Sequence, residues 1–342
     1  MASDAATVPP SRVQVWLEVL STCGHAAPET LDPVGRWLLI SRACVQPMTL
    51  TSAAIAGLLA ANSPTFHLGY LALAAVGIVL AHAANNMIND YFDLAQGQDT
   101  ETYPRTLYAP HPVTSGLVSR ARLARAILVT NALDGAIMVI LFMARGWPVI
   151  AFALAGLFIS VFYVAPPLRF KAHGFGEPSV FIIWGPLMVG GTYFSTTAHL
   201  PAEVIWASVP YALLVVTVLF GKHIDKAPWD APDGVNILPV LLGTDRARRA
   251  TAALMIAFYV SIAALVLAGV LAVWTLVGCA ALPTLMRTLA TYRRDKPDHP
   301  PPRYPLWPLW FGPAAFVHAR RAGAALVIGL ALGAAWPYYV TI

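Results

Sequence analysis

Asn85-Asn86-Met87-Ile88-Asn89-Asp90-Tyr91-Phe92-Asp93-Leu94-Ala95-Gln96-Gly97-Gln98-Asp99 closes a long apolar run with amides and carboxylates. If 68–93 is one helix, spacings of three, four and seven put Asn86, Asn89, Asp90 and Asp93 on one broad wall, with Asp99 on the turn beyond. Carboxylates this close raise one another's pKa unless a cation neutralises them. Hard oxygen donors in this pattern suit Mg2+, which keeps several waters and is completed by substrate phosphates rather than by a full protein cage. The stretch therefore points to a phosphorylated substrate. The competing reading is a polar helix end facing water, with Asn and Asp as caps.

Around this stretch lies a chain of 342 residues, 58% hydrophobic and only 11% charged. That is too apolar for a soluble domain of this size and predicts an all-α polytopic membrane protein. Runs of about 17–25 apolar residues suit membrane crossing. They predict nine spans, at 47–62, 68–92, 121–144, 147–165, 177–196, 204–221, 250–269, 271–290 and 322–340. Residues 1–46 are expected to be a cytoplasmic, interfacial N-terminal segment without a secretory signal, ahead of a membrane domain over 47–342. Short surface helices are expected near Arg12–Leu20 and Arg36–Ile40. Cys23, Cys44 and Cys279 are odd in number and scattered, so they are expected to be packing residues rather than a disulfide framework or a zinc site.

With nine spans, all 22 Lys and Arg residues except Arg145 fall on one side of the membrane. The positive-inside rule then puts the N-terminus and the loops after even-numbered spans in the cytoplasm and the C-terminus outside, in a cell membrane. The net charge of +5 follows from this topology. Membrane lipid is the expected partner and nucleic acid is not.

A second cluster, Lys222-His223-Ile224-Asp225-Lys226-Ala227-Pro228-Trp229-Asp230-Ala231-Pro232-Asp233-Gly234, ends another apolar run four spans later, on the same expected face. Two such clusters on equivalent spans suggest an internal repeat with an ion site on each half; a solvated Asp- and Pro-rich loop is the plain alternative. Arg105, Arg169 and Lys171 lie on loops of that face, where cations can hold a diphosphate. The segment from Asp295 to Pro313, with Tyr304, Trp307, Trp310 and Phe311, reads as an interfacial aromatic stretch that can cover the site. Asp134, one turn after Asn131 inside the third span, is an intramembrane acid and is expected to act in packing rather than chemistry.

These residues resemble the UbiA-type intramembrane prenyltransferase superfamily over nearly the whole chain from Pro47. Asn89-Asp90-Tyr91-Phe92-Asp93, with Gly97 and Asp99, is similar to the first Asp-rich motif of the 1,4-dihydroxy-2-naphthoate prenyltransferase branch. Pro112-Val113-Thr114-Ser115-Gly116 follows at the family distance, and Asp225 to Asp233 with Gly234 to Gly243 is similar to the second motif. The resemblance implies nine helices around a central cavity, Mg2+ bound through both motifs, and prenyl transfer to an aromatic, quinone-precursor-like acceptor. Three departures stand out. His111 occupies the place of a frequent Arg, which shifts diphosphate contact to Arg105. Aligned from Gly243, Lys226 takes the place of the first acid of the second motif, with Asp230 on the second. Gly97 replaces an acid, leaving Asp99 as its substitute.

The expected chemistry is ionisation of a polyprenyl diphosphate. Mg2+ is expected on Asn89, Asp90, Asp93, Asp99, Asp225 and Asp230, of which Asn89, Asp93 and Asp230 carry catalysis. Arg105, Arg169, Lys171, Lys222 and Tyr163 are expected to bind substrate. Tyr91, Phe92, Tyr163 and Trp184 are expected along the path of the allylic cation. A terpene cyclase on the same scaffold, and less readily a transporter, are the rival readings.

Overall fold

A computed structural model describes residues 10–25, 27–97, 103–104, 109–304 and 306–340. Among these residues all regular structure is helical. Two short helices, α1 (Arg12–Thr22) and α2 (Pro33–Ile40), precede α3 (Gln46–Ala60), α4 (Leu68–Ala95), α5 (Arg120–Arg145) and α6 (Pro148–Phe162). A continuous run, α7, follows through Gly176–Ile182, a wide-turned stretch Ile183–Gly190 and Gly191–Thr197. Then come α8 (Ala202–Asp230), the single turn α9 (Leu238–Leu242), α10 (Thr244–Leu267), α11 (Leu282–Arg293, entered through a tighter helix Val273–Ala281) and α12 (Phe311–Ala335).

Seven helical segments are long and apolar enough to cross a membrane: 43–60, α4, α5, α8, α10, 273–293 and α12. The other two expected spans are α6, at 15 residues, and α7, whose wide-turned middle contains Pro186. Proline removes one backbone donor and clashes with the preceding turn, so a helix locally widens there. The chain is a multi-pass membrane protein.

The site depends on two helix lengths. Crossing the hydrocarbon takes about 20 residues, whereas α4 has 28 and α8 has 29. Each is thus about two turns longer than a crossing requires, and its last turns carry one of the two polar clusters. The second cluster is therefore helix up to Asp230 rather than loop, because α8 continues through Pro228. Likewise α12 starts at Phe311, eleven residues before the expected span, which puts Arg320 and Arg321 inside a helix; Arg321 donates to Thr284 Oγ1 at 3.1 Å.

The main core gathers around α8, with Leu214, Val215 and Phe220 among buried residues of α3, α7, α10, α11 and α12. A separate cluster holds the N-terminal helices in place: Val19, Leu31, Leu39 and Ile40 pack on Met87, Leu117 and Leu123. Local chemistry builds these short helices. Ser11 and Gln14 form a reciprocal cap at the start of α1, and the Asp32 carboxylate caps α2 through Gly35 N–H at 2.7 Å while accepting the Trp16 indole N–H at 2.9 Å. Cys23 and Cys44 are joined by a disulfide, with Cα atoms 5.3 Å apart, which corrects the expectation of three unpaired cysteines. Spacing did not reveal the pair, because α2 folds the intervening chain back on α1. Cys279 is free.

Candidate active site

The polar ends of α4 and α8 both line the mouth of a cavity of about 880 Å³. Its wall reaches from Asp93 at the mouth to Ala74 on the same helix, about 28 Å along the axis. The deep part is lined by residues such as Met138, Leu141, Phe152 and Leu187. The mouth is lined by Asn89, Asp93, Tyr163, Lys171, Lys222 and Lys226. Leu306 and Leu309, from the aromatic segment before α12, close part of the rim.

On α4, helical rotation sorts the cluster. Asn89 and Asp93, one turn apart, line the cavity. Lys171 Nζ donates to both Asp93 oxygens, at 2.8 and 2.7 Å, from the turn after α6. The Asn89 amide reaches Asn85 Oδ1 at 3.5 Å, and its own Oδ1 is buried with no hydrogen-bond partner among the described residues. Asp90 lies about 100° further round and is fully buried, ion-paired with Arg42. It joins α4 to the connection between α2 and α3 and is absent from the cavity wall, although the sequence placed it among the metal ligands.

His111 is another part of that scaffold. Its Nδ1 accepts the Val113 and Thr114 N–H groups at 3.2 and 3.3 Å, so Nε2 carries the hydrogen and donates to the Asp90 carbonyl at 3.3 Å. The ring is buried and clips the returning loop to α4.

Rotation sorts α8 in the opposite sense. Lys222 and Lys226, also one turn apart, face the cavity. Asp225 faces α12 and accepts three backbone N–H groups, from Trp310 at 2.8 Å, Phe311 at 3.1 Å and Gly312 at 2.8 Å. A helix start offers unpaired donors and a partial positive charge, and the cap residue of α12, Trp310, supplies no capping side chain. Asp225 performs that capping from a neighbouring helix. Two glycines permit the approach: a Cβ at Gly221 would lie 2.8 Å from Phe311 O and 2.9 Å from Gly312 N, and one at Gly312 would lie 3.1 Å from the Lys222 backbone. Asp225 therefore serves the scaffold, where the sequence expected a metal ligand.

Asp230 accepts the Tyr103 hydroxyl at 2.6 Å, and Lys226 Nζ lies 4.4 Å over the Tyr103 ring. Beside them a buried pair, His223 Nδ1 and Glu177 Oε1, stands at 2.8 Å. Lys296 lies over Trp307 at 4.9 Å; burial lowers its pKa, and the Asp225 charge opposes that shift. The same neighbourhood pushes Tyr304 up to about 12, through burial first and the Asp225 charge second.

Of the other expected site residues, Trp184 lines the cavity, whereas Arg169, Tyr91 and Phe92 do not. Tyr91 lies under Arg120 at 4.7 Å, and Phe92 packs with Ile88 and Tyr163. Asp99 and Arg105 lie outside the described residues. Asp134 and Asn131 line the cavity deep between α4 and α5. Sequence reasoning missed Lys226 as a wall residue, and also Arg42 and Tyr103. The signal for Lys226 was its spacing of four from both Lys222 and Asp230.

Among the described residues no group of three or more His, Cys, Asp and Glu side chains is placed to hold a metal. The α4 side nevertheless fits Mg2+ in the form expected for a phosphate-binding ion. Asn89 brings a buried acceptor without a partner and Asp93 a carboxylate at the same wall, a set that substrate oxygens and water would complete.

Residues 50–312 match the UbiA prenyltransferase family. The chain belongs to that family. Among its relatives are a UbiA prenyltransferase domain-containing protein 1 homolog of Drosophila melanogaster, 25% identical over 70% of this chain and 65% of that protein. The 1,4-dihydroxy-2-naphthoate octaprenyltransferase of Escherichia coli is 24% identical over 83% of this chain and 87% of its own length. This chain thus spans just under two thirds of the Drosophila UbiA protein. The UbiA fold is seen in an apo UbiA homolog from Aeropyrum pernix, with a TM-score of 0.59 and 20% identity over 82% of this chain and 96% of that one. A homolog from Archaeoglobus fulgidus bound to GPP and Mg2+ aligns with a TM-score of 0.54 and 19% identity over 85% and 99%.

Proposed function

We propose that the protein transfers a prenyl group from a polyprenyl diphosphate to an aromatic acceptor in a Mg2+-dependent reaction at this mouth. The observation that carries the reading is the joining of an oxygen pair, Asn89 and Asp93, and three lysines to one end of a long apolar cavity. A diphosphate with an apolar tail has that division of chemistry. The relatives named as prenyltransferases support it.

Asn89 and Asp93 would hold the ion, which when bound neutralises diphosphate charge and eases its departure. Lys171, Lys222 and Lys226 would bind phosphate oxygens by charge-assisted hydrogen bonds. Tyr163 and Trp184 would offer ring faces to a developing allylic cation. The apolar wall would exclude water that would otherwise capture that cation. The basic residues around the mouth support a cytoplasmic side for it, which reporter fusions at the two termini would test.

The decisive experiment incubates purified protein with a panel of prenyl diphosphates and aromatic acceptors and reads products by mass spectrometry. A prenylated acceptor together with free diphosphate is expected. Cyclised tail without acceptor would indicate the cyclase reading, and no cleavage of any diphosphate would reject both.

A further inference from the structure

A second pocket, of about 480 Å³, lies apart from the candidate active site, between the end of α11 and the start of α12. Arg287, Ala290, Thr291 and Arg294 line it from α11 and its cap, and Trp310 lines it from the start of α12. We propose that this pocket binds the headgroup phosphate of an anionic glycerophospholipid whose acyl chains run down the outer face of α11.

The positive charge in the pocket is uncompensated. Spacings of three, four and seven put residues 287, 290, 291 and 294 on one side of the helix. Both arginines are exposed, and their side chains make no hydrogen bond or ion pair among the described residues. The plain role for arginines here is to cap the last carbonyls of α11. Arg248 from α10 already does so, donating to Tyr292 O at 2.8 Å and to Arg294 O at 2.7 Å. The same guanidinium holds Asp295, the acid that lines the pocket, at 2.9 Å. In addition, the Trp310 indole Nε1–H is buried without an acceptor, and an unpaired buried donor costs free energy that an incoming oxygen recovers. Two guanidiniums and an indole N–H are all donors, the complement of a phosphodiester, which only accepts. The surface beside the pocket selects a lipid over a free anion. Met286 and Leu282, one and two turns from Ala290 on the same row, are 60% and 41% exposed and lead toward the middle of the 273–293 span. Cationic groups at a helix end beside bare apolar surface match a headgroup and its chains, and basic residues at this level attract anionic lipid.

Native mass spectrometry of the detergent-solubilised protein, titrated with defined lipids, counts what binds. Dioleoylphosphatidylglycerol should bind wild type on the order of ten- to thirty-fold more tightly than dioleoylphosphatidylcholine, which has the same chains but carries a compensating cation. The double variant Arg287→Gln/Arg294→Gln should lose that preference, and Trp310→Phe should weaken phosphatidylglycerol binding about three- to ten-fold. Arg246→Gln/Arg249→Gln, which removes two exposed arginines from the start of α10, should keep the preference. Equal binding of the two lipids by wild type would overturn the proposal, as would wild-type binding in the α11 variant or in Trp310→Phe. It would also fall if the α10 control lost the preference as fully as the α11 variant, since charge alone would then explain it. Inorganic phosphate binding as tightly as phosphatidylglycerol would make the pocket a free-anion site and overturn the lipid assignment. The comparison of two lipids on wild type does not depend on whether any variant folds.

Discussion

Helices α4 and α8 are both longer than a membrane crossing needs and end in polar clusters, yet they turn different chemistry to the same cavity. On α4 the pair one turn apart that lines the wall is Asn89 and Asp93, and the neighbouring acid, Asp90, is turned away to Arg42. On α8 the lining residues at this end are Lys222, His223 and Lys226, and the neighbouring acid, Asp225, is turned away to the start of α12. A rotation of about 100° per residue separates the wall residues from the neighbouring acid in each case. Composition alone made the two clusters look like a duplicated acid site. The rotation of each helix turns an amide and a carboxylate to the wall at one end, and two lysines with His223 at the other.

The largest effects should fall on the α4 side. Removing divalent ions with excess chelator should abolish product formation and Mg2+ should restore it, because lysines alone leave the leaving group short of charge compensation. Asp93→Ala should lower kcat/KM by about a hundred- to a thousand-fold while the detergent-solubilised protein keeps its Tm within a few degrees. Steady-state kinetics and thermal unfolding check both. Turnover at the wild-type rate in Asp93→Ala would dissolve the distinction between the two helix ends.

Asp225→Ala should behave differently. It leaves three buried N–H groups at the α12 start unpaired and removes a negative charge that complements the positive end of the helix dipole, a loss of about 3 kcal/mol or more in stability. The fraction that folds should retain turnover within about ten-fold of wild type. Measured unfolding together with activity per folded molecule decides the point. An inactive Asp225→Ala with unchanged stability would place this carboxylate in the chemistry after all. Gly312→Ala probes the same contact more mildly, since its Cβ would press on the Lys222 backbone at 3.1 Å; a cost of about 1–3 kcal/mol is expected from overpacking, read as a lower Tm.

These outcomes bear on what was legible in the sequence. The apolar runs gave the helical membrane fold, and helix periodicity placed Asn89 and Asp93 together. Lys171 and Lys222 could be gathered from loop positions because their chemistry matches the oxygen pair. The azimuth of α8 was hidden, because it is set by the close approach at Gly221 and Gly312, a tertiary contact without a local pattern. A carboxylate capping a helix 85 residues away in sequence is equally non-local, as is the Arg42 partner of Asp90. Such pairings depend on how helices cross, and hydrophobic period fixes only which broad face is buried.

The smallest effect expected concerns His111, and it asks whether the α4 end also separates scaffold from ligand. The imidazole uses both nitrogens on backbone groups, accepting from Val113 and Thr114 and donating to the Asp90 carbonyl, and it does not line the cavity. His111→Ala should therefore loosen the loop after α4, costing about 1–2 kcal/mol of stability, while kcat/KM for the prenyl diphosphate falls less than ten-fold. His111→Asn should recover part of the stability, because its amide oxygen can accept the same N–H groups. Arg105, outside the described residues, carries the contrasting expectation that its replacement by Ala raises KM for the diphosphate, since a guanidinium can grip phosphate where a ring bound to backbone cannot. Kinetics of the two alanine variants, with thermal unfolding alongside, separate the roles. If His111→Ala were the more damaging to KM at unchanged stability, the imidazole would belong to the substrate site, and the α4 end would no longer divide as proposed.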